Sequence, residues 1–590
     1  MCGIIGGVTL KENIAPLILK GLKRLEYRGY DSSGIVVNKN DQLQFIRKIG
    51  APTLLAIDPA VQNLEGFVGL GHNRWATHGP VTEANAHPHV IDNIALVHNG
   101  VLENVAFVES LLRPEIKKLL RSDTDSELIL AYLYQSYYDG LTFLEAFEKT
   151  IKIIEGSFAL LVLHAKENII LARRHYLPLY YSQNDGRHLL SSDIYGFPPN
   201  HHSYHVLIED NTFVLKKDHD PYYVDSAIIT SQSRIDEITE LDNDQSSFMQ
   251  KEIIEQAVIL EEHLHNFHEK IAFFHENFFD EIHLVGCGTS YHAALTSVFW
   301  FEELAGVPAR AFIASEFKYF PPVVKNKTLL IALSQSGETA DVLAAIQDQG
   351  KPYAKRLAIC NNAGSMLTRL VDHTLLLKAG REVGVASTKA FTAQLIMLLK
   401  ININLTQNDF FALKNFPSFL SLPQSLTDIF KMKTLDEWAK ELSQYRAMMI
   451  LGRGPLYPIA MEAALKLKEI TYKHVHSLPA SELKHGSLAL IDKDCPVLMI
   501  IPNDHLLKKN LLTCEEIAAR EGKLFIIFEE SIDSALLHKK AFKVAMPSCL
   551  AVLNPIMFIV PFQLLAIKIA SILNYDIDKP RNLAKSVTVE

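Results

Sequence analysis

Two stretches of the chain share a strand, a glycine-rich turn and a helix, and this repeat is the strongest constraint on the fold. Apolar residues run into VGCGTSYHA at the first turn and into LGRGPLYPIA at the second. Further apolar strands alternate with amphipathic helices after each turn. Gly286 and Gly452 correspond, and they lie much further apart than the roughly 20 to 50 residues of a solenoid repeat. We therefore expect two related α/β domains, each with a doubly wound parallel sheet.

The first 220 or so residues have a different pattern. Short β-rich runs such as GIIGGVTL, IALVHNGVL and FALLVLHA are separated by Gly, Asn and Asp turns, with helical stretches between them. This pattern predicts a layered α+β domain. Residues 230–250 are polar and acidic with little to bury, so they are interpreted as a linker.

Charge and cysteine usage restrict the class of protein. The 590 residues carry a net charge of −9 without a long basic run, which makes nucleic acid an unfavourable partner. The six cysteines show no CxxC pair and no metal-like spacing with histidine. We expect free thiols, no metal site and a cytoplasmic protein.

One segment, residues 549–573, is long and apolar enough to cross a membrane. Asn554, Gln563 and Lys568 are costly in lipid, and two prolines interrupt it. A helix buried in a large core is the better interpretation.

The second residue is a candidate nucleophile. Removal of Met1, favoured by a small second side chain, would leave Cys2 with a free α-amine of pKa near ~8 beside its thiol. That amine can accept the proton of its own residue's nucleophile, as in N-terminal threonine and cysteine enzymes. The alternative is a small apolar side chain at the start of a strand.

Three further motifs of the first region carry polar groups suited to binding. In GHNRWATHG, Arg74 offers a planar fork for a carboxylate. In HNG, the Asn99 amide and the Gly100 N–H form the type of pair that holds an oxyanion, although a β-turn is the alternative. In SDTDSELI, Asp125 either begins a helix behind an N-cap or binds an amine.

The motif LSQSGETADV follows a hydrophobic strand of the second region. Its short polar side chains suit a phosphate at the carboxyl edge of a parallel sheet: Ser334, Gln335, Ser336 and Thr339. The alternative is a helix cap with Ser336 as the cap and Glu338 in the first turn. GVASTKAFTAQ adds another small, polar turn before a helix. Neither G-x-G turn completes G-x-G-x-x-G, which disfavours a dinucleotide.

Taken together, these motifs resemble a known family. MCGIIGG, LEYRGYDSSG, HNRWATHG, NAHPH, HNG and TDSE look like a class II glutamine amidotransferase domain. CGTS, SQSGETAD, GVASTKAFT, ALKLKE, ELKHG and PRNLAKSVTVE look like sugar isomerase (SIS) domains. In this order, over nearly the whole chain, they resemble the glucosamine-6-phosphate synthase family, which aminates fructose 6-phosphate with glutamine.

The resemblance implies a glutaminase site on an N-terminal-nucleophile domain of αββα layers. Cys2 would attack the side-chain amide of glutamine, and Asn99 and Gly100 would stabilise the oxyanion. Arg74 would hold the substrate carboxylate and Asp125 its ammonium group. The remaining pocket residues would be Trp75, Thr77 and His78.

The resemblance likewise implies a sugar site. Lys585 would form a Schiff base with the C2 carbonyl, Glu469 would move a proton between C1 and C2, and His485 would open the sugar ring in the neighbouring subunit's site. The other implied residues are Lys466 for catalysis and Thr289, Ser290, Ser334, Gln335, Ser336, Thr339, Val385, Ala386 and Ser387 for substrate binding. The alternatives are a solvated tail lysine at 585 and a surface ion pair between Lys466 and Glu469.

An organisation follows from the resemblance. The implied segments are an amidotransferase domain at 2–220, a linker at 221–250, SIS domains at 272–411 and 439–580, and a catalytic tail at 581–590. A homodimer and an internal ammonia channel gated by Trp75 are implied, with L-glutamine and D-fructose 6-phosphate as substrates. The resemblance implies no metal or redox cofactor.

The sequence departs from the family pattern twice. HYLPLYYSQNDGRHLLSSD lacks the expected Gly-Ser-Pro-Leu, and SELKHGSLAL replaces a usual Gly-Glu-Leu-Lys-His-Gly-Pro. Neither departure removes a catalytic side chain. Two other functions are alternatives: an amidotransferase that feeds ammonia to another acceptor, and a non-catalytic sensor of sugar phosphates. The first lacks its partner motifs, and the second would not need Glu469, His485 and Lys585.

Overall fold

The computed structural model describes residues 2–76, 78–201, 203–225, 233–234, 247–267, 269–406 and 419–587. The chain divides into two compact units. The first comprises Met1–Asn243 and Ala584–Glu590, and the second comprises Asp244–Leu583.

The first unit contains two antiparallel sheets. Its strands are β1 Gly3–Thr9, β2 Ser32–Lys39, β3 Gln42–Ile49, β4 Val68–Arg74, β5 His89–Ile91, β6 Ile94–Gly100, β7 Phe158–His164, β8 Ile169–His175, β9 Tyr180–Asn184, β10 Arg187–Ser191, β11 Ser203–Val206, β12 Phe213–Lys216, β13 Tyr222–Tyr223 and β14 Ser233–Arg234. The order is β14-β11-β9-β10-β1-β4-β2-β3 in one sheet and β13-β12-β8-β7-β6-β5 in the other. Strand β1 therefore lies inside the larger sheet, between β10 and β4.

Helices cover the outer face of each sheet. They are α1 Ala15–Arg24, α2 Pro52–Ala56, α3 Pro59–Gln62, α4 Val105–Ser110, α5 Pro114–Lys117, α6 Asp125–Tyr138 and α7 Phe143–Ile151. Apolar residues that alternate along the strands form one core between the sheets and one under each helical layer. The predicted αββα layering is confirmed.

Two glycines let α1 pack directly on β4. A Cβ at Gly71 would lie 2.3 Å from the Cγ2 atom of Ile18, and one at Gly69 would lie 3.0 Å from Ile18 Cδ1. Because larger residues would push the helix away, these glycines fix the helix against the strand that ends at Arg74.

The second unit contains two five-stranded parallel sheets. The strands are β15 Glu281–Gly286, β16 Ala309–Ile313, β17 Thr328–Ser334, β18 Lys355–Cys360 and β19 His373–Leu376 in one, and β20 Ala447–Gly452, β21 His474–Pro479, β22 Val497–Ile501, β23 Leu524–Glu529 and β24 Phe542–Met546 in the other. Their orders, β16-β15-β17-β18-β19 and β21-β20-β22-β23-β24, are the same doubly wound order. The predicted duplication of a parallel α/β domain is confirmed.

The helices of the second unit surround both sheets. They are α8 Phe248–His265, α9 Ala272–Glu276, α10 Gly288–Trp300, α11 Ala314–Phe317, α12 Ala340–Gln349, α13 Leu367–Leu370, α14 Lys389–Leu405, α15 Leu422–Phe430, α16 Thr434–Leu442, α17 Leu456–Thr471, α18 Leu507–Ala518 and α19 Asn554–Ile572. One hydrophobic core includes residues of both parallel sheets and of the helices between them.

The apolar segment near the C-terminus forms α19, which packs on α17 and α16. The helix is long and apolar enough to span a membrane by length and composition, yet 78% of its most apolar window is buried within the protein. Its one lysine, Lys568, pairs with Asp436 at the surface. The prediction of a buried core helix is confirmed.

Most of the predicted linker lies outside the described residues. Strand β13 and the beginning of α8 occupy the two ends of the predicted range 221–250. The six cysteines are free thiols. In the described part of the chain, no group of three or more His, Cys, Asp or Glu side chains is arranged to hold a metal ion.

Candidate active sites

The Cys2 thiol lies in a small pocket of the first unit, immediately before β1. The Trp75 N–H donates a hydrogen bond to Cys2 Sγ over 3.2 Å. Burial raises the pKa of the Cys2 thiol. A thiol in this environment needs a base to become a nucleophile.

The HNG motif is the end of strand β6, so the alternative of a β-turn is wrong. The Asn99 side-chain amide donates to the Cys2 carbonyl over 3.1 Å. Gly100 has φ +140°, and a Cβ there would lie 2.2 Å from the Ser157 carbonyl oxygen. Only glycine fits this position without displacing the neighbouring strand. Gly100 lies at the edge of the pocket.

Asp125 is both a helix residue and a pocket residue. It is the first residue of α6, behind Thr124, whose hydroxyl accepts the Glu127 N–H. The Asp125 carboxylate accepts the Leu102 N–H over 2.9 Å and the Ser126 N–H over 2.8 Å. The predicted N-cap is therefore present, and the carboxylate lines the same pocket as the thiol.

Arg74 ends strand β4 and is 3% exposed. Its guanidinium donates to the carbonyl oxygens of His78, Gly79 and Pro80. These bonds hold the turn that follows Trp75. The pocket lining comprises Cys2, Arg74, Trp75, His78, His87, His98, Gly100, Thr124, Asp125 and Ser126. Thr77 lies outside the described residues.

Four buried histidines surround this pocket or lie next to it. The ring centroids of His72 and His87 are 4.1 Å apart, and those of His87 and His89 are 4.6 Å apart. Burial lowers the pKa of His72 to about 3 and lowers the pKa values of His87, His89 and His98. The cluster is therefore neutral at physiological pH and adds no cation beside Cys2.

A second set of polar groups lies at the carboxyl ends of β15 and β17. The Ser334 and Thr339 hydroxyls are 2.9 Å apart, and Ser334 Oγ accepts the Gly337 N–H over 3.0 Å. Gly337 adopts φ +68°. Helix α12 begins at Ala340, and its N-cap Thr339 makes no side-chain capping bond. The alternative in which Ser336 caps this helix is therefore wrong.

Ser290 lies on α10, the helix that follows β15. The Gln394 side chain of α14 donates to Ser290 Oγ over 2.9 Å. Two residues of α10 also reach α17 of the other parallel-sheet domain: Thr289 Oγ1 donates to Glu462 over 2.9 Å, and His292 Nδ1 lies 2.7 Å from it. Helix α10 thus carries Ser290, predicted to bind substrate, and contacts α17, the helix with the predicted catalytic residues Lys466 and Glu469.

Lys466 is fully buried between two carboxylates of α17. Its ammonium nitrogen lies 3.3 Å from Glu462 and 2.6 Å from Glu469. Burial opposes the charge, but the two carboxylates outweigh it and raise the pKa of Lys466. The alternative of a surface ion pair is wrong, and this lysine remains a cation.

Glu462 was missed by the sequence analysis. Burial disfavours its charge, yet Lys466 and His292 hold the pKa of Glu462 below its ordinary value. The available signal was the spacing of Glu462, Lys466 and Glu469, which places three charges on one face of an otherwise apolar helix. A charged stripe on a helix of such composition indicates a buried polar site.

We expect Glu462→Gln to destabilise the second unit by about 3 kcal/mol, because it leaves the buried Lys466 with one carboxylate instead of two. Urea unfolding followed by circular dichroism would measure the loss. The contribution is present at neutral pH and is lost as the pH falls through the lowered pKa of Glu462.

Asp436→Asn is the control, since Asp436 pairs with Lys568 over 2.5 Å and both side chains are partly exposed. It should cost less than about 1 kcal/mol. Equal losses in the two variants would contradict the importance of burial at Glu462.

The loop before α14 contains Val385, Ala386 and Ser387, the first two of which are buried. Glu382, also buried, accepts the Ser387 hydroxyl over 2.9 Å and the N–H groups of Thr388 and Ala390 over 3.0 Å each. Because one carboxylate bonds both the loop and the first turn of the helix, the loop has a fixed shape.

Two other predicted catalytic residues are His485 and Lys585. His485 is exposed and follows the short 3-10 turn Glu482–Lys484. Lys585 is partly buried and belongs to the first unit. Their predicted roles in the sugar reaction stay predictions.

Comparison with known proteins identifies the two kinds of domain. Residues 72–198 match the family of glutamine amidotransferase domains, and residues 280–401 and 441–573 both match the SIS domain family. The molecule is thus a glutamine amidotransferase joined to a pair of SIS domains.

Full-length relatives narrow this class. The chain is 38% identical to the glutamine–fructose-6-phosphate aminotransferase (isomerizing) of Yersinia pseudotuberculosis and 40% identical to that of Legionella pneumophila strain Paris, with all of each chain covered. The C-terminal domain of the Francisella tularensis glucosamine-fructose-6-phosphate aminotransferase is a structural match, with a TM-score of 0.55 and 35% identity over 58% of this chain and 100% of that one. The chain belongs to the glutamine–fructose-6-phosphate aminotransferase (isomerizing) family.

Proposed function

We propose that the two clusters are the glutaminase site and the sugar site of one enzyme. The chain is a glutamine-dependent aminotransferase (EC 2.6.1.16) that converts D-fructose 6-phosphate to D-glucosamine 6-phosphate and releases glutamate. This reaction supplies hexosamine synthesis. The observation that supports the assignment of the first site is the pocket that combines Cys2 with Gly100 and Asp125, next to the Asn99 amide that bonds the Cys2 carbonyl.

At the first site, Cys2 attacks the side-chain amide carbon of glutamine. Once Met1 has been removed, the α-amine of Cys2 takes the thiol proton and returns it to the departing ammonia. A glutamyl thioester remains, and water then hydrolyses it to glutamate. The raised pKa of the buried thiol is the reason that an adjacent base is required.

The remaining groups of the first pocket bind the substrate and the tetrahedral intermediate. Asn99 and Gly100 donate to the oxyanion; the Asn99 amide reaches the Cys2 backbone over 3.1 Å, and Gly100 lines the pocket. Arg74 binds the substrate carboxylate, and Asp125 binds its ammonium group. Trp75 and His78 complete the enclosure, and Thr77 is assigned to the same substrate site.

At the second site, the hydroxyls and backbone N–H groups before α12 bind the sugar phosphate. The uncapped start of this helix supplies N–H donors and the positive end of a helix dipole. The residues assigned to phosphate and sugar binding are Thr289, Ser290, Ser334, Gln335, Ser336, Thr339, Val385, Ala386 and Ser387.

The chemistry on the sugar needs an amine and a proton carrier. Lys585 forms an imine with the C2 carbonyl as water leaves, ammonia then displaces the lysine amine from C2, and Glu469 moves the proton between C1 and C2. Lys466 keeps its charge, so its role is to hold the Glu469 carboxylate rather than to form an imine. His485 is exposed on its own subunit, which suits the proposal that it acts in the site of a partner in a homodimer.

Product analysis tests the function. The purified chain, supplied with amide-labelled ¹⁵N-glutamine and fructose 6-phosphate, should yield labelled glucosamine 6-phosphate and glutamate in equal amounts by mass spectrometry. Label that appears only as free ammonium would reject the aminotransferase. Fractionation of the native cells should find the protein in the cytoplasm.

Trp75 is proposed to gate the exit of ammonia, because it contacts the Cys2 thiol through its backbone and Tyr30 through its ring, with ring centroids 6.0 Å apart. We expect Trp75→Ala to hydrolyse glutamine while the glucosamine 6-phosphate formed per glutamine falls well below one. Trp75→Phe, which keeps an aromatic ring, is the control. A ratio of one for Trp75→Ala would contradict the gate.

A further inference from the structure

Asp578 bonds two segments that are far from it in sequence. Its carboxylate accepts the N–H groups of Phe248 and Met249 over 2.8 and 2.9 Å. Its backbone carbonyl accepts the Val385 N–H over 3.2 Å. One residue therefore connects the beginning of α8 to the loop assigned to sugar binding.

The same loop is held a second time from α8. The Glu252 carboxylate is 3% exposed and accepts the N–H groups of Val383 and Gly384, the latter over 3.1 Å. Three consecutive backbone donors, from Val383 to Val385, are thus engaged by Glu252 and Asp578. Because Asp578 also bonds the first turn of α8, the loop and the helix share one anchor.

The residues next to Asp578 in the chain are also held by hydrogen bonds. The Asp576 carboxylate accepts the N–H groups of Asp578 and Lys579 over 3.0 and 2.9 Å. The Arg581 N–H donates to the Tyr472 hydroxyl over 2.9 Å, and its guanidinium lies 4.1 Å from the centre of the Tyr472 ring. Tyr472 directly follows α17, the helix that carries Glu469.

Capping alone does not explain the Asp578 contacts. Helix α8 already has an N-cap, since Ser247 Oγ accepts the Gln250 N–H over 3.2 Å. The Asp578 carboxylate accepts the N–H groups of Phe248 and Met249, which the Ser247 cap does not bond. Asp578 belongs to the segment that leads to Lys585.

We propose that Asp578 is a positioning residue for the sugar reaction, fixing the Val383–Ser387 loop, the start of α8 and the segment leading to Lys585 in one arrangement. The inference rests on the proposed function, because it concerns the residues assigned to sugar binding and imine formation. A small displacement of such groups lowers the rate of a reaction that depends on their alignment.

Asp578→Asn tests the proposal with little change in shape. The amide retains one acceptor, so one of the two helix donors loses its partner. We expect kcat/KM for fructose 6-phosphate to fall by about 10-fold to 100-fold, with KM rising. Glutamine hydrolysis without sugar should stay within about twofold of wild type. Asp436→Asn, which removes a surface partner of Lys568, is the matched control and should leave both activities unchanged.

Hydrogen exchange distinguishes positioning from a local structural role. In Asp578→Asn, amide hydrogens in peptides covering the start of α8, the 380–388 loop and residues 576–587 should all exchange faster. The β-sheets should keep their protection. Glu252→Ala, which removes the second anchor of the loop, should raise KM for fructose 6-phosphate too and serves if Asp578→Asn does not fold.

The outcomes separate the two proposals. If the wild-type chain makes no glucosamine 6-phosphate, the proposed function fails. If the wild type makes it and a folded Asp578→Asn keeps kcat and KM within twofold, the positioning role is wrong. Equal losses of glutaminase and sugar activity, with general loss of protection, would also overturn the positioning role.

Discussion

A form of the enzyme with an uncleavable residue in front of Cys2 is expected to lose glutamine hydrolysis and still to bind fructose 6-phosphate. The α-amine then becomes part of a peptide bond and cannot accept a proton, while burial keeps the thiol protonated at neutral pH. We expect the glutaminase rate to fall by about 10³-fold or more, as for loss of a nucleophile or its base.

Intact-protein mass spectrometry of the active enzyme should find Cys2 as the first residue. Cys2→Ala is the control, because it removes the nucleophile but leaves the N-terminus to be processed as before. Both variants should bind fructose 6-phosphate with the wild-type affinity, measured by calorimetry. Active enzyme that retains Met1, or an extended form with normal hydrolysis, would show that the base lies elsewhere.

The fold followed from patterns that are local in sequence. Apolar strands that alternate with amphipathic helices can bury both faces of a sheet only as a parallel α/β domain, and the G-x-G turns marked the first strand of each. In the first unit, short β-rich runs separated by turns, with helical stretches between them, predicted a layered α+β domain. These patterns decide the fold because each is repeated over many residues.

The sites were predicted unevenly. Cys2, Gly100 and Asp125 occur in short motifs, and the structure brings them to one pocket. Glu462 and Asp578 were missed, because each acts on groups that only folding brings near. The first meets Thr289 and His292 from another domain, and the second meets a helix more than 300 residues earlier in the chain. The sequence around a single acidic residue does not show which distant groups its carboxylate will contact.

The local alternatives also needed the structure. The Asn99–Gly100 pair has the composition of a turn, yet it ends a strand, since β7 supplies the pairing partners that a turn would lack. The Lys466–Glu469 spacing is that of a surface ion pair, yet α10 and α19 bury the helix on both sides. Tertiary packing, rather than local preference, decides such cases.

Lys585→Arg should separate the two half-reactions, and it has the largest expected effect on the sugar chemistry. Arginine keeps the positive charge but stays protonated over the working pH range, so it cannot form an imine. We expect the variant to release glutamate from glutamine at a rate near that of the wild type and to form no detectable amino sugar. Coupled assays for glutamate and for glucosamine 6-phosphate on the same samples would measure both.

Borohydride trapping identifies the amine directly. With fructose 6-phosphate present, reduction should attach the sugar to Lys585 in the wild type, located by peptide mass spectrometry, and should label nothing in Lys585→Arg. Lys466→Arg is the informative control, because a lysine held as a cation by Glu462 and Glu469 has no lone pair to attack a carbonyl. That variant should still be labelled at Lys585. Near-normal glucosamine 6-phosphate synthesis by Lys585→Arg would disprove the imine at this residue, and a label on Lys466 in the wild type would show that the buried ion pairs open during turnover.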